Sequence, residues 1–123
     1  MSSQQNSPLR VLLVDDEDSI CRVITRTLEL NGFEAKSASS LKEVQDALRT
    51  EEFDVVLLDC SVSNEKGESL VGDVRQAAPQ AKVVFFTGRA VAPAEAAQVD
   101  GVILKPIAGK SLAQSLRKVI AAP

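Results

Sequence analysis

The chain has 123 residues, of which 45% are hydrophobic and 25% charged, and its formal net charge is −3. The length is enough for one domain that buries its apolar surface without cross-links. The mild negative charge argues against a surface that binds nucleic acid. No apolar run approaches the roughly 20 residues that span a bilayer. The absence of histidine excludes histidine-dependent catalytic triads and histidine-ligated metal sites.

The amino-terminal residues and the two cysteines bear on the compartment. Residues 1–8 are polar and contain no apolar signal core, so we expect a short disordered lead on a cytoplasmic protein. Cys21 and Cys60 show neither metal-ligand spacing nor a disulfide framework. We therefore expect both to be free thiols in a reducing compartment.

The first half of the chain predicts two strand–helix units. The aliphatic run from Leu9 to Val14 predicts a strand, and apolar residues at helical spacing then predict a helix that Asp18 or Ser19 caps. Asn31-Gly32 is the expected end of this helix. The polar stretch from Phe33 to Ala38 suits an edge strand, and the capping-box sequence Ser40-Leu41-Lys42-Glu43 opens the second helix.

The central strand is predicted at Asp54 to Leu58. Four consecutive branched aliphatic residues, Val55 to Leu58, leave no polar face, which is typical of a parallel strand covered by helices on both sides. The run stops at a carboxylate, Asp59. A loop to Gly67 and a third helix follow.

The rest of the chain predicts two more strands, at Lys82 to Phe86 and Gly101 to Leu104, and a last helix after Ala108-Gly109, a poor cap. Ala90 to Val99 leaves room for only a short helix, with Pro93 suited to its first turn. Alternation of strands and helices predicts right-handed βαβ units. The expected fold is α/β, a flavodoxin-like (βα)5 three-layer sandwich with a five-stranded parallel sheet of order 2-1-3-4-5.

Polar side chains follow four of the predicted strands. Because the carboxyl ends of parallel strands meet at one edge of the sheet, these side chains should converge. They are Asp15, Asp16, Asp59, Thr87 and Lys105. Clustered carboxylates repel one another, so a cation should join them, and a few oxygen ligands suit Mg²⁺. Taken singly, the first two acids could merely favour a helix start and the lysine could be solvated, but the constellation favours a site.

In this order the motifs resemble the receiver domain of two-component response regulators. The resemblance runs from about Leu9 to Ala121, so the domain is expected at 9–121. It rests on Asp15-Asp16-Glu17, Asp59, Gly67, Thr87-Gly88 and Lys105-Pro106.

The resemblance implies that Asp59 accepts a phosphoryl group from a histidine of a partner, a bacterial sensor histidine kinase or a histidine phosphotransfer protein. It also implies that Asp16, Asp59 and the backbone carbonyl of Ser61 hold Mg²⁺, with Asp15 contributing through water. The missing histidine is then expected, because the donor histidine belongs to the partner.

The resemblance further implies that Thr87 and Lys105 bind phosphoryl oxygens and that the Lys105-Pro106 bond is cis. The protein would be a signalling module rather than an enzyme. It would act on an output partner that the sequence does not name, by a change of conformation and without direct contact to nucleic acid or membrane.

Three departures from the family pattern concern the switch. Val62-Ser63 replaces the common Met-Pro, the Thr87 to Lys105 interval is short, and Val102 replaces the switch aromatic. The usual threonine–aromatic coupling cannot operate without a ring. We expect activation to act mainly by ordering residues 87–99.

Three alternatives come from other functional classes. A phosphorylation-independent pseudo-receiver would keep the fold as a binding module with a degraded switch. A metal-dependent hydrolase with an aspartyl nucleophile would want a carboxylate two residues after Asp59, where Ser61 stands. A flavin-binding module would want a hydroxyl-rich loop after the first strand, where this chain has four acids.

Overall fold

Five parallel strands form one sheet in the order β2-β1-β3-β4-β5. The structure is a computed structural model that describes residues 8–15, 17–59, 67–88, 91–105 and 107–122. For residues 67–69 it describes the backbone alone. The strands are β1 (Arg10–Val14), β2 (Glu34–Ala38), β3 (Val55–Asp59), β4 (Lys82–Thr87) and β5 (Gly101–Leu104). The predicted strand order and the parallel α/β architecture are confirmed. Of the predicted lead 1–8, only Pro8 belongs to the described residues.

Helices follow the strands along the chain. They are α1 (Asp18–Leu30), α2 (Leu41–Thr50), α3 (Gly67–Ala77), α4 (Pro93–Ala96) and α5 (Gly109–Ala121). In the described part of the chain, none of these helices combines the length and the apolar character that crossing a membrane requires.

The sheet separates two apolar clusters because alternate residues of each strand face opposite sides. The first core cluster packs α2 and α3 on one face and includes Leu12, Val14, Val56, Leu58, Val83 and Phe85. The second core cluster packs α1 and α5 on the other face and includes Val11, Leu13, Val55, Leu57, Val84 and Phe86. Every residue of β3 is buried, as its unbroken aliphatic run predicts for the central strand.

The register brings the strand ends to one level. Val14 pairs with Leu58, and Asp59 pairs with Phe86 on β4. Thr87 in turn pairs with Leu104, the last residue of β5. The side chains at these ends therefore meet at a single edge of the sheet.

Two of the predicted helix ends are confirmed and one predicted cap is wrong. Ser40 caps α2 as expected, since its Oγ accepts the Glu43 N–H at 3.2 Å. Gly32 adopts a φ of 93° after α1, which confirms the expected end of that helix. The expected cap at Asp18 or Ser19 is wrong. The helix begins at Asp18, and no described side chain caps it.

Several predicted strand limits and apolar helix faces differ from those in the structure. Each of the first four strands begins or ends one residue away from its predicted limit, and Phe33 packs in the second core cluster just before β2. Helical spacing in the sequence would place Val23 and Leu41 on the apolar faces of the first and second helices, but their side chains are 62% and 45% exposed. At about 100° per residue, Val23 lies nearly opposite the buried Cys21 and Leu28 on α1, and Leu41 lies in the first turn of α2, ahead of its buried residues.

The connection before β5 contains the shortest helix and has a firm anchor at its far end. The Glu95 Oε1 accepts the Ala92 N–H at the start of α4. The Asp100 Oδ2 accepts the Val83 N–H at 2.8 Å and lies 3.2 Å from the Arg75 Nη2. The Arg75 Nη2 also donates to the Gln98 carbonyl at 3.1 Å. Helix α3 thereby holds the end of this connection against β4.

Candidate functional site

Asp59 is the centre of the cluster at the strand ends. As the last residue of β3 it is placed by a central strand whose neighbours are β1 and β4. The residue is only 7% exposed. A buried carboxylate needs a partner of opposite charge or several hydrogen bonds to stay ionised.

Lys105 supplies the opposite charge. Its backbone N–H donates to the Thr87 carbonyl at 2.7 Å, which continues the β4–β5 pairing by one residue and fixes where the side chain starts. The Lys105 Nζ lies 2.9 Å from the Asp59 Oδ2, in an ion pair that is also a hydrogen bond. The ammonium lies 4.9 Å from the centroid of the Phe86 ring.

Asp15 is the second carboxylate of the site and is 1% exposed. Its backbone N–H donates to the Ala38 carbonyl at 3.0 Å, which extends the β1–β2 pairing past the last residue of β1. Its Oδ1 accepts the Glu17 N–H at 3.0 Å. In the described part of the chain, its Oδ2 is buried and has no hydrogen-bond partner. The Cys21 thiol donates to the Asp15 carbonyl at 3.2 Å.

The pKa of Asp15 shows that the two carboxylates act on each other. The pKa is raised from 3.8 to about 6, chiefly by burial and then by a hydrogen bond that Asp15 can share with the Asp59 carboxyl when one of the two is protonated, against the lowering effect of the Glu17 N–H and of Lys105. Such a bond needs a proton on one of the two groups, so two ionised carboxylates would leave the buried Asp15 Oδ2 without a partner. A proton or a cation at this position relieves the repulsion.

Thr87 closes β4 and is 3% exposed. Its carbonyl accepts the Lys105 N–H, so the threonine and the lysine are held next to each other by the backbone. The structure thus brings together Asp15, Asp59, Thr87 and Lys105, the four described members of the predicted set.

The other predicted members lie outside the described residues. They are the metal ligands Asp16 and Ser61, the residue Pro106 whose peptide bond is predicted to be cis, and the loop residues Cys60, Val62 and Ser63. These predictions stay predictions. The described residues alone contain no group of three acidic, cysteine or histidine side chains placed to hold a metal ion.

Two contributors were not foreseen from the sequence. Phe86 was assigned only to the fourth predicted strand, although an aromatic residue beside Thr87 on a strand next to Asp59 is a signal that could have been used. The Arg75–Asp100 pair joins residues 25 positions apart on α3 and before β5. No short-range pattern in the sequence indicates such a pair.

Comparison with known proteins settles the family. The model of the response regulator receiver domain family matches residues 11–117. The chain belongs to the response regulator receiver domain family. Receiver domains are signalling modules of bacterial two-component systems, which confirms the resemblance drawn from the motifs.

A curated relative of this receiver domain is the alginate biosynthesis transcriptional regulatory protein AlgB of Pseudomonas putida, 33% identical over 87 residues. The matched part covers 71% of the chain and 19% of AlgB. The chain therefore spans about a fifth of the length of that relative.

Two solved receiver domains share the fold. One is a CheY-like response regulator receiver domain from Methylobacillus flagellatus, with a TM-score of 0.81 and 26% identity over 92% of this chain and 99% of that one. The other is the response regulator TrrA of Thermotoga maritima in complex with Mg(2+)-BeF, with a TM-score of 0.79 and 23% identity over 90% and 98% of the two chains. These likenesses agree with the strand order 2-1-3-4-5.

Proposed function

We propose that residues 9–121 form a phosphoacceptor receiver domain in which Asp59 takes a phosphoryl group from a histidine of a partner protein. The observation that carries the proposal is the buried Asp59 carboxylate at a strand end with the Lys105 ammonium 2.9 Å from its Oδ2. A carboxylate at a strand end beside a fixed cation is suited to attack an electrophile that carries negative charge.

In the proposed step, a carboxylate oxygen of Asp59 attacks the phosphorus atom of the phosphorylated donor. A phosphorus–oxygen bond forms, giving an acyl phosphate. The bond from phosphorus to the donor nitrogen breaks, and the imidazole leaves with the electron pair. Lys105 is positioned to offset the charge on the transferred oxygens, and the buried Thr87 lies beside it to contact one of them.

The residues of the site fit a divalent cation. The buried Asp15 Oδ2 has no hydrogen-bond partner among the described residues, and the donor set consists of carboxylate oxygens, which hard cations prefer. Asp59 would hold Mg²⁺ together with Asp16 and the Ser61 carbonyl, which lie outside the described residues, and Asp15 would contribute through water. When bound, the ion would neutralise negative charge on the phosphoryl oxygens. TrrA, a relative in fold, was solved with Mg(2+)-BeF, and beryllofluoride is a phosphoryl mimic.

The donor and the target are proposed by class only. The donor would be a sensor histidine kinase or a histidine phosphotransfer protein in the cytoplasm, which follows from the family. AlgB is a transcriptional regulator, and the chain matches about a fifth of it, so an output domain or a separate partner protein would receive the signal. The pseudo-receiver alternative is not favoured, because Asp59 and Lys105 are present and paired with each other.

Phosphorylation by a small donor tests the proposal without knowledge of the kinase. Incubation with acetyl phosphate and Mg²⁺ should raise the intact mass of the wild type by one phosphoryl group, with acetate as the leaving group. Asp59→Asn should remain unlabelled while keeping its circular dichroism spectrum. Equal labelling of this folded variant would refute the assignment of Asp59.

A further inference from the structure

The Lys105 ammonium has a second contact besides Asp59. Its Nζ lies 4.9 Å from the centroid of the Phe86 ring, within the roughly 6 Å at which a cation is attracted to the negative face of an aromatic ring. The lysine side chain is 28% exposed, so the contact is partly withdrawn from water. Such contacts strengthen as the cation loses its hydration.

The ring itself is held rigidly. Phe86 is 2% exposed and packs in the second core cluster. Its backbone pairs with Asp59 on one side and with Ile103 on the other. The ring is therefore a fixed support placed by the same strand pairing that places the acceptor carboxylate.

An aromatic face supports a lysine differently from a hydrogen-bond acceptor. An acceptor would occupy one of the three N–H groups of the ammonium and compete with other oxygens. A ring face attracts the charge as a whole and leaves these donors available. The ammonium can therefore turn from the Asp59 carboxylate toward an oxygen of an attached phosphoryl group while it remains over the ring.

We propose that Phe86 is a positioning residue of the phosphorylation site: its ring holds the Lys105 ammonium beside Asp59 by a cation–π contact. The proposal rests on the proposed function for its effect on phosphorylation. The ring contact itself exists independently of that function. Phe86 acts through Lys105 and does not touch the reacting atoms.

Graded fluorination of the ring separates charge attraction from packing. Mono-, di- and trifluorinated phenylalanine, incorporated at position 86 alone, weaken the negative face of the ring stepwise while changing its size little. The rate of phosphorylation by acetyl phosphate with Mg²⁺ should fall in steps with each fluorine, by roughly two- to tenfold over the series. A residue that only fills the core would give a flat series.

The matched control is Phe33, whose ring lies 4.6 Å from the Arg117 guanidinium carbon and belongs to no part of the site. The same fluorinated residues at position 33 weaken a cation–π contact elsewhere and should leave the phosphorylation rate unchanged. A decline of equal size in both series would overturn the proposal, because it would trace the effect to general destabilisation.

A measurement on the unphosphorylated protein keeps the two proposals distinguishable. Ring currents of Phe86 should shift the Lys105 ε-methylene proton resonances upfield, and Phe86→Leu should return them to their ordinary position. If the wild type is not labelled on Asp59, the proposed function fails, and these resonances still report whether the ring holds the ammonium. Resonances at their ordinary position in the wild type, or a flat fluorination series in a labelled protein, would overturn the role of Phe86.

Discussion

The Lys105 Nζ lies 2.9 Å from the Asp59 Oδ2, although the two residues are 46 positions apart in the chain. The contact depends on β3, β4 and β5 keeping their register, because each residue lies at the end of its strand or just beyond it. A second carboxylate, Asp15, lies buried at the same edge. Among the described residues of the site, one lysine therefore faces two carboxyl groups, and this imbalance of charge underlies the first two predictions.

Replacement of the lysine should destabilise the protein in the absence of a divalent cation. Lys105→Met removes the charge and keeps most of the stem, leaving the buried Asp59 without its ion-pair partner. We expect the free energy of unfolding at neutral pH to fall by roughly 1–3 kcal/mol, less than for a fully buried pair because the lysine is partly exposed. Urea unfolding measures it.

The control for this experiment is Lys110→Met on the exposed face of α5, which should change the free energy of unfolding by less than about 0.5 kcal/mol. An unchanged stability of Lys105→Met would show that the lysine contributes no net stabilisation to the carboxylate pair.

Asp15 should make stability depend on pH. Its pKa is raised from 3.8 to about 6 in the folded protein, so its contribution to stability is fully present below about pH 4 and is lost as the pH rises through about 6. Without divalent cations, Asp15→Asn should therefore match the wild type more closely at pH 4 than at pH 7. At pH 7 the variant should be more stable by roughly 1–2 kcal/mol.

The measurement is urea unfolding of both proteins between about pH 4 and pH 7. In the difference between their free energies of unfolding, the contributions of the carboxylates that both proteins share cancel. Mg²⁺ should reverse the order at pH 7 by stabilising the wild type more than the variant. A stability difference that does not change with pH would contradict the raised pKa.

Two helix glycines should respond oppositely to alanine. A Cβ on Gly109 would lie 2.7 Å from the Thr27 Cγ2, because α5 begins in close contact with α1. Gly109→Ala should lower the free energy of unfolding by roughly 1–3 kcal/mol, since the β-branched threonine cannot easily move away. Gly72→Ala on α3 meets nothing within 4 Å and should raise it by up to about 1 kcal/mol. Thermal unfolding of the two variants measures these changes. Equal changes in the free energy of unfolding would refute the close packing of α1 against α5.

The switch should operate by ordering the connection before β5. Its far end is anchored to α3 by Arg75, whereas residues 91–97 hold only a short helix with partly or fully exposed side chains. With beryllofluoride and Mg²⁺, hydrogen-exchange protection should rise most in 91–97 and little around Val102. Arg75→Met should reduce protection at 98–100 in both states.

The outcome that would contradict this mechanism is strong protection of 91–97 in the untreated protein, or no change on adding the mimic. The matched control is Arg49→Met on α2, whose partner Asp46 lies on the same helix, remote from the connection. This variant should leave the exchange pattern of 91–104 unaltered.

Much of the fold could be predicted because its strongest signals are local. Val55 to Leu58 has no polar face, and such a run identifies a central strand without knowledge of its neighbours. The polar composition of β2 likewise indicated an edge. The exact strand limits and the cap of α1 were harder to predict from the sequence. The Asp15 carboxylate is buried and accepts the Glu17 N–H, and the helix starts without a side-chain cap.

For the described residues, the side chains that lie together at the strand ends could be predicted, but their energetics could not. The positions of Asp15, Asp59, Thr87 and Lys105 follow from strand ends in a parallel sheet. That Lys105 is supported by a ring depends on the side-chain direction of Phe86, and the raised pKa of Asp15 depends on burial. Neither quantity is encoded in a short motif, because each arises from several strands at once.

Chemical mapping of the phosphorylated residue tests the central claim most directly. Borohydride reduces an aspartyl acyl phosphate to homoserine and leaves unmodified carboxylates intact, so peptide mass spectrometry after treatment with acetyl phosphate and Mg²⁺ reads out the acceptor. We predict homoserine at position 59 alone, and none in the Lys105→Met variant at a time when the wild type is well labelled. Homoserine at position 15 or elsewhere, or unmodified Asp59 in a phosphorylated protein, would contradict the account.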